Sequence, residues 1–202
     1  MAGGQRDAPL EGLRRAVSTR SIYVIGGAGT GKSTFMELLL ARVGAQLGPV
    51  EELHVQTQTR LGKPLRCVLR GQRWPGGVYL GILRPEFPGT DALVNTTGPV
   101  AREWLQEGQL PEMLVGEGLL LSSRPFLALL AACTDALMVH LTVPEEARLR
   151  RVQDRGHSFN AGWSRQTVTR AANTAQHLRG KGVQVAEGWP LGHAAGHLLG
   201  LL

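Results

Sequence analysis

A chain of 202 residues is enough for one core with at most a small lid. At 43% hydrophobic and 19% charged it is too polar for a membrane protein and too apolar for a disordered one. A formal charge of +6 and a pI near 10.1 suit an anionic partner, nucleotide or nucleic acid.

Residues 1–20 carry arginines but no apolar h-region, and Asp7 and Glu11 argue against a transit peptide, so a flexible arm of a cytoplasmic protein is expected. Residues 21–25 form a short apolar run that ends in glycines and fit a buried strand. At 34–43, Phe35, Leu38, Leu39 and Val43 recur at helical spacing. Three strands are expected at 53–57, 65–69 and 78–83, set apart by Gly62-Lys63-Pro64 and Trp74-Pro75-Gly76-Gly77, turns short enough for antiparallel hairpins. A loop at 85–90 and a helix at 100–107 follow. Strands are then expected at 113–115, 136–143 and 183–186, separated by helices at 125–132, 144–154 and 165–178. The longest apolar run, 125–133, is far short of the roughly 18 residues of a spanning helix, so no membrane is expected as partner. Cys67 and Cys133 belong to no Cys/His cluster and read as structural thiols.

Strands alternating with helices predict an α/β domain over 21–202: three layers around a central, mainly parallel sheet, with a β-hairpin insertion at 53–84 and a short lid at 156–166. Charge is placed unevenly. Residues 53–85 hold Arg60, Lys63, Arg66, Arg70, Arg73 and Arg84 and no acid. This segment is the candidate face for a polyanion, with Arg60, Lys63, Arg66, Arg70 and Arg73 as its nucleic-acid contacts, although hairpins also make homodimer contacts. Arginines outnumber lysines nineteen to three, as a GC-rich coding sequence would give, so position weighs more than number.

Residues 26–33, Gly-Gly-Ala-Gly-Thr-Gly-Lys-Ser, complete the pattern G-x-x-x-x-G-K-[ST] between a predicted strand and a predicted helix, the context that pattern requires. Glycines let consecutive N–H groups turn inward onto phosphate oxygens, and the following helix adds its positive end. Gly27, Ala28, Gly29, Thr30, Gly31, Lys32, Ser33 and Thr34 are therefore the candidate nucleotide contacts, with Lys32 on the β and γ phosphates and Ser33 on Mg²⁺. No asparagine precedes a lysine, so the guanine-reading Asn-Lys-x-Asp of GTPases is missing. Neither 114–117 nor 137–143 carries the acid pair of helicases and motors. Small chains with a phosphate loop and little else are more often phosphotransferases, with ATP the expected nucleotide.

Transfer to a hydroxyl needs a carboxylate near the acceptor and cations around the moving phosphoryl. Asp91, in a Pro/Gly loop after a strand, is the first candidate for base or Mg²⁺ organiser, or else a helix cap. Glu117, between Gly116 and Gly118 at a strand end, is the second, and Glu86 the third. Asp135 reads as a surface turn. Arg148, Arg151 and Arg155 are spaced to share one helix face, either a solvated face or a phosphate clamp. Trp163 is a candidate for stacking on a base or for the core.

The segment 144–156, Pro-Glu-Glu-Ala-Arg-Leu-Arg-Arg-Val-Gln-Asp-Arg-Gly, resembles the approach to the lid in P-loop kinases, and with the phosphate loop it resembles the nucleotide-kinase branch of P-loop proteins. That resemblance implies a five-stranded parallel sheet and makes Arg151 and Arg155 the clamp over ATP. More narrowly, Gly89-Thr90-Asp91-Ala92-Leu93, Gly116-Glu117-Gly118 and the stretch 151–163 resemble bacteriophage 5-hydroxymethyluracil DNA kinases. This implies an ATP- and Mg²⁺-dependent enzyme that phosphorylates a base hydroxymethyl in DNA. A kinase of a free nucleoside, nucleotide or small alcohol, and a nucleotide-dependent DNA-binding ATPase or switch, are the alternatives.

Overall fold

A computed structural model describes residues 17–58, 64–82, 111–119, 124–154 and 161–188. In chain order the elements are β1 (Val17–Gly26), α1 (Lys32–Arg42), β2 (Val50–Gln58), β3 (Pro64–Trp74), β4 (Gly77–Leu80), β5 (Met113–Glu117), α2 (Arg124–Ala132), β6 (Cys133–Leu141), α3 (Glu145–Asp154), α4 (Ala161–Arg179) and β7 (Gln184–Gly188). Seven strands form one sheet in the order β2-β3-β4-β5-β1-β6-β7. From β4 to β7 every pairing is parallel; β3 joins β4 and β2 joins β3 antiparallel. The fold is therefore the expected α/β layering.

Period two in β1 decides which helix covers which face. Ile22 and Val24 point into a cluster with Phe35, Met36 and Leu39 of α1. Tyr23 and Ile25 point the other way, among Phe126 and Leu130 of α2 and Ala171, Ala175 and Leu178 of α4. Tyr23 meets Phe126 edge to face at 5.6 Å. With both faces covered, β1 is buried from Ser21 to its C-terminal end at Gly26, where the glycine loop begins.

Several boundaries move. β1 begins at Val17 rather than residue 21, because β5 and β6 run alongside and satisfy its backbone groups: Arg20 pairs with Met113 and Asp135, and Val17 with Cys133. Residues 17–20 thus belong to the sheet and not to an arm. Asp135 is a strand residue rather than a turn, and its carboxylate meets Arg20 Nε at 2.9 Å across the pairing. The hairpin insertion is β2 and β3 alone, since β4 is the outermost strand of the parallel set, paired with β5. Helix α4 starts at Ala161, so residues 161–166 of the expected lid are helical. The loop at 85–90 and the helix at 100–107 lie outside the described residues.

Candidate active site

The glycine loop leaves β1 at its C-terminal end and enters α1 through Gly31. Thr30 closes the turn, its amide and hydroxyl both donating to the Gly27 carbonyl at 3.3 and 2.8 Å. Gly29 holds φ +80°, and a Cβ there would stand 2.6 Å from the Arg148 carbonyl, so only glycine fits. The first intrahelical bond of α1 is from Phe35 N to Gly31 O, and no side chain caps the helix. The N–H groups of its first turn are thereby left to a ligand, at the end where the helix dipole favours an anion. Lys32 lies back over the loop, its ammonium donating to the carbonyls of Gly26 and Gly27 at 3.2 Å each.

Two helices close on this loop from the side of β6. Arg148, on α3, is buried; it donates to the Ser164 hydroxyl of α4 and, at 3.5 Å, to the Ala28 carbonyl. Arg151, one turn on and half-buried, reaches the Gly29 carbonyl at 3.4 Å. The Ala28 amide donates to Thr167 Oγ1 of α4 at 3.3 Å, and that hydroxyl donates to Ser164 O at 2.8 Å. Val168 lies so close that a Cβ on Gly27 would stand 2.6 Å from its Cγ2. Both stems of the expected lid are thus fastened to the phosphate loop. A cavity of about 500 Å³ between the loop, the end of β6 and the two helices is lined by Gly27, Thr30, His140, Thr142, Arg148 and Arg165, among others.

Glu117 ends β5, the strand next to β1, where it pairs with Val24 and is 2% exposed. Tyr79 Oη donates to its carboxylate at 3.3 Å. Tyr23 Oη fixes the following residue by donating to Gly118 O at 2.7 Å, and Gly118 N donates to Val24 O. A buried carboxylate is costly unless a cation or hydrogen bonds favour it. The donor chemistry fits a magnesium nucleotide: the Ser33 hydroxyl on α1, a carboxylate on the neighbouring strand, and amides and an ammonium for phosphate. Among the described residues no cluster of three or more His, Cys, Asp or Glu forms a metal site by itself.

Of the residues singled out by sequence, those from Gly27 to Thr34 and Arg151 come together here, with Glu117 at the adjoining strand end. Asp91, Glu86 and Arg155 lie outside the described residues, as do Arg60 and Lys63; nothing is described of the Trp163 and Arg66 side chains. Arg70 and Arg73 are on β3, three strand positions from β1, or roughly 14 Å at about 4.8 Å per strand. Both are ion-paired, Arg70 Nε with Glu52 and Arg73 Nε with Glu51, each at 2.7 Å. The acid-free segment starts just after these two glutamates, and antiparallel pairing brings them back opposite the arginines. Arg148, Ser164 and Thr167 were not legible as loop contacts. Arg148 is a tie inside the protein rather than the third member of an open arginine face.

The family comparison agrees with this geometry. A search of curated proteins returns no match to the chain. The family model described as P-loop Nucleotide Kinase3 matches residues 17–195, a span that starts with β1 and passes beyond β7. The chain belongs to this P-loop nucleotide kinase family.

Proposed function

We propose that the protein is an ATP- and Mg²⁺-dependent phosphotransferase whose acceptor is the hydroxymethyl group of a modified pyrimidine, 5-hydroxymethyluracil, in DNA. The carrying observation is the uncapped α1 terminus with Lys32 over the glycine loop, Glu117 at the next strand end and Arg151 reaching the loop from α3. Bound Mg²⁺ supplies charge neutralisation across the β and γ phosphates. Ser33 and Glu117 would help hold it. Lys32 would meet the β and γ phosphates, with Arg151 and Arg155 taking up negative charge as it spreads over the moving group. Asp91 would orient the acceptor hydroxyl and accept its proton. The DNA acceptor is supported by the resemblance of 89–93, 116–118 and 151–163 and by the net charge of +6.

One observation favours a smaller acceptor: the carboxylates of Glu52 and Glu51 already occupy Arg70 and Arg73 on the hairpin. A free nucleoside or nucleotide is therefore the second reading. Label transfer from γ-labelled ATP decides between them when duplex DNA containing hydroxymethyluracil, ordinary duplex DNA and free nucleosides are offered side by side. Transfer to the modified duplex alone is expected; transfer confined to nucleosides overturns the DNA acceptor, and hydrolysis with no transfer to any of them overturns the kinase reading.

A further inference from the structure

The exposed cations are not equivalent. On α3, Arg150 is paired with Glu146; on β3, Arg70 and Arg73 face Glu52 and Glu51. The stretch from 155 to 186 differs, having no aspartate or glutamate at all while carrying Arg155, Arg165, Arg170, Arg179 and Lys181 with His157 and His177. Most of it is α4. There Arg170, Asn173, His177 and, just past the helix, Lys181 follow at spacings of three and four, which puts them along one side, and all are exposed. Arg179 is set apart by its ion pair with Glu187 at 2.9 Å.

The surface is shaped as well as charged. A groove of about 670 Å³ runs beside α4 past Arg165, Thr169, Arg170 and Asn173 to His177, and a second of about 400 Å³ continues from Asn173 and His177 to Lys181. From Arg165 to Arg179 the helix rises roughly 21 Å at about 1.5 Å per residue. Its upper end is fastened to the phosphate loop through Thr167 and Ala28.

We infer that this side of α4 is a track for the sugar-phosphate backbone of DNA, leading the acceptor strand toward the phosphate loop. The inference rests on the DNA-acceptor reading above. A polyanion matches a row of cations with no carboxylate among them, and the Asn173, Thr169 and Gln166 side chains between the cations add hydrogen-bond donors for phosphate oxygens. A lipid surface would need apolar anchors interleaved with the charges, and along Arg170, Asn173, His177 and Lys181 there is none. The β2–β3 hairpin, where Glu52 and Glu51 neutralise Arg70 and Arg73 in place, is the weaker candidate for the same role.

The test is the salt dependence of binding to a short labelled duplex, read by fluorescence anisotropy between about 50 and about 200 mM salt. The protein with Arg170→Gln, His177→Gln and Lys181→Gln is compared with wild type, and a hairpin variant, Arg70→Gln with Arg73→Gln, serves as control. Each lost phosphate contact lowers the slope of log K against log salt by about 0.9. The α4 variant, which removes the two cations Arg170 and Lys181, is therefore expected to lose about 1.8 units of slope, Lys181→Gln alone about 0.9, and the hairpin variant none, with MgATP affinity unchanged in all. These side chains are exposed, so folding is retained, and a melting curve verifies it. An unchanged slope in the folded α4 variant, while wild type still phosphorylates DNA, overturns the track and leaves the DNA acceptor standing. Wild type that transfers phosphate to nucleosides and does not bind the duplex overturns both. Polyglutamate competing as well as DNA at equal charge makes the occupant an acidic protein and overturns the assignment to DNA.

Discussion

Lys32 and the glycines around it act through position as much as through chemistry. The ammonium is held over the loop by two carbonyls of that loop, and Lys32→Ala is expected to remove the cation facing the β and γ phosphates and abolish transfer with the melting temperature little changed. Wild-type turnover in a folded variant would exclude the loop as the phosphate site. The two arginines of α3 should separate cleanly. Arg148 is buried against Ser164 and the loop, so Arg148→Met leaves a buried hydroxyl and carbonyl short of a donor and should cost about 1 to 3 kcal/mol of stability. Arg151 is half-buried and reaches the Gly29 carbonyl by a long hydrogen bond, so Arg151→Met should leave stability nearly intact and raise the KM for ATP. Thermal melts and ATP titrations of the pair check this, and equal losses of stability in both would refute the division. Sequence spacing placed both arginines on one face; which of them faced inward depended on α4, whose approach no local pattern encodes.

Helix α4, like α3, is fastened to the phosphate loop by a hydrogen bond. Thr167→Val removes the acceptor for the Ala28 amide and should weaken ATP binding severalfold, in line with about 0.5 to 1.5 kcal/mol for one hydrogen bond, while Thr167→Ser restores it. Failure of Ser to rescue would mean that packing, not the hydroxyl, sets the loop. At the other end of α4, the hydrogen bond from Arg179, and after it that from His140, hold the Glu187 carboxylate below its usual range. A carboxylate lowered on folding stabilises the fold above its unfolded value, about 4.3, and this contribution is lost as pH falls through the lower folded value. Glu187→Gln should then melt below wild type at neutral pH, modestly because Glu187 is half-exposed, with the gap closing under acid conditions below about pH 4. A gap that persists in acid would assign the effect to shape rather than charge. The central elements were legible because each carries its own signal: the apolar run of β1, the helical spacing of Phe35 and Leu39, the glycine pattern between them. The ion pairs of the hairpin were not, because Glu51 and Glu52 lie some twenty residues before their arginines and meet them only through the register of β2 with β3.

The molecule as a whole converges on one edge: β1, β5 and β6 present Gly26, Glu117 and Leu141 at their C-terminal ends, and α1, α3 and α4 reach the same loop from both faces of the sheet. A ligand specific for the folded state that binds there adds its binding energy to the stability of the entire domain. At a hundredfold excess over its dissociation constant, a ligand specific for the folded state stabilises it by about 2.7 kcal/mol. For a domain of this length about 1 kcal/mol corresponds to roughly 2 to 4 °C, so saturating MgATP should raise the melting temperature by roughly 5 to 10 °C. Chelating the metal should take away much of that rise if Ser33 and Glu117 hold it, and Glu117→Gln should behave in MgATP as wild type does in ATP with chelator. Differential scanning fluorimetry with ATP, MgATP and MgATP plus chelator gives the answer directly. A shift that is the same with and without metal would remove Glu117 from the magnesium site and return it to a purely structural role beneath Tyr79.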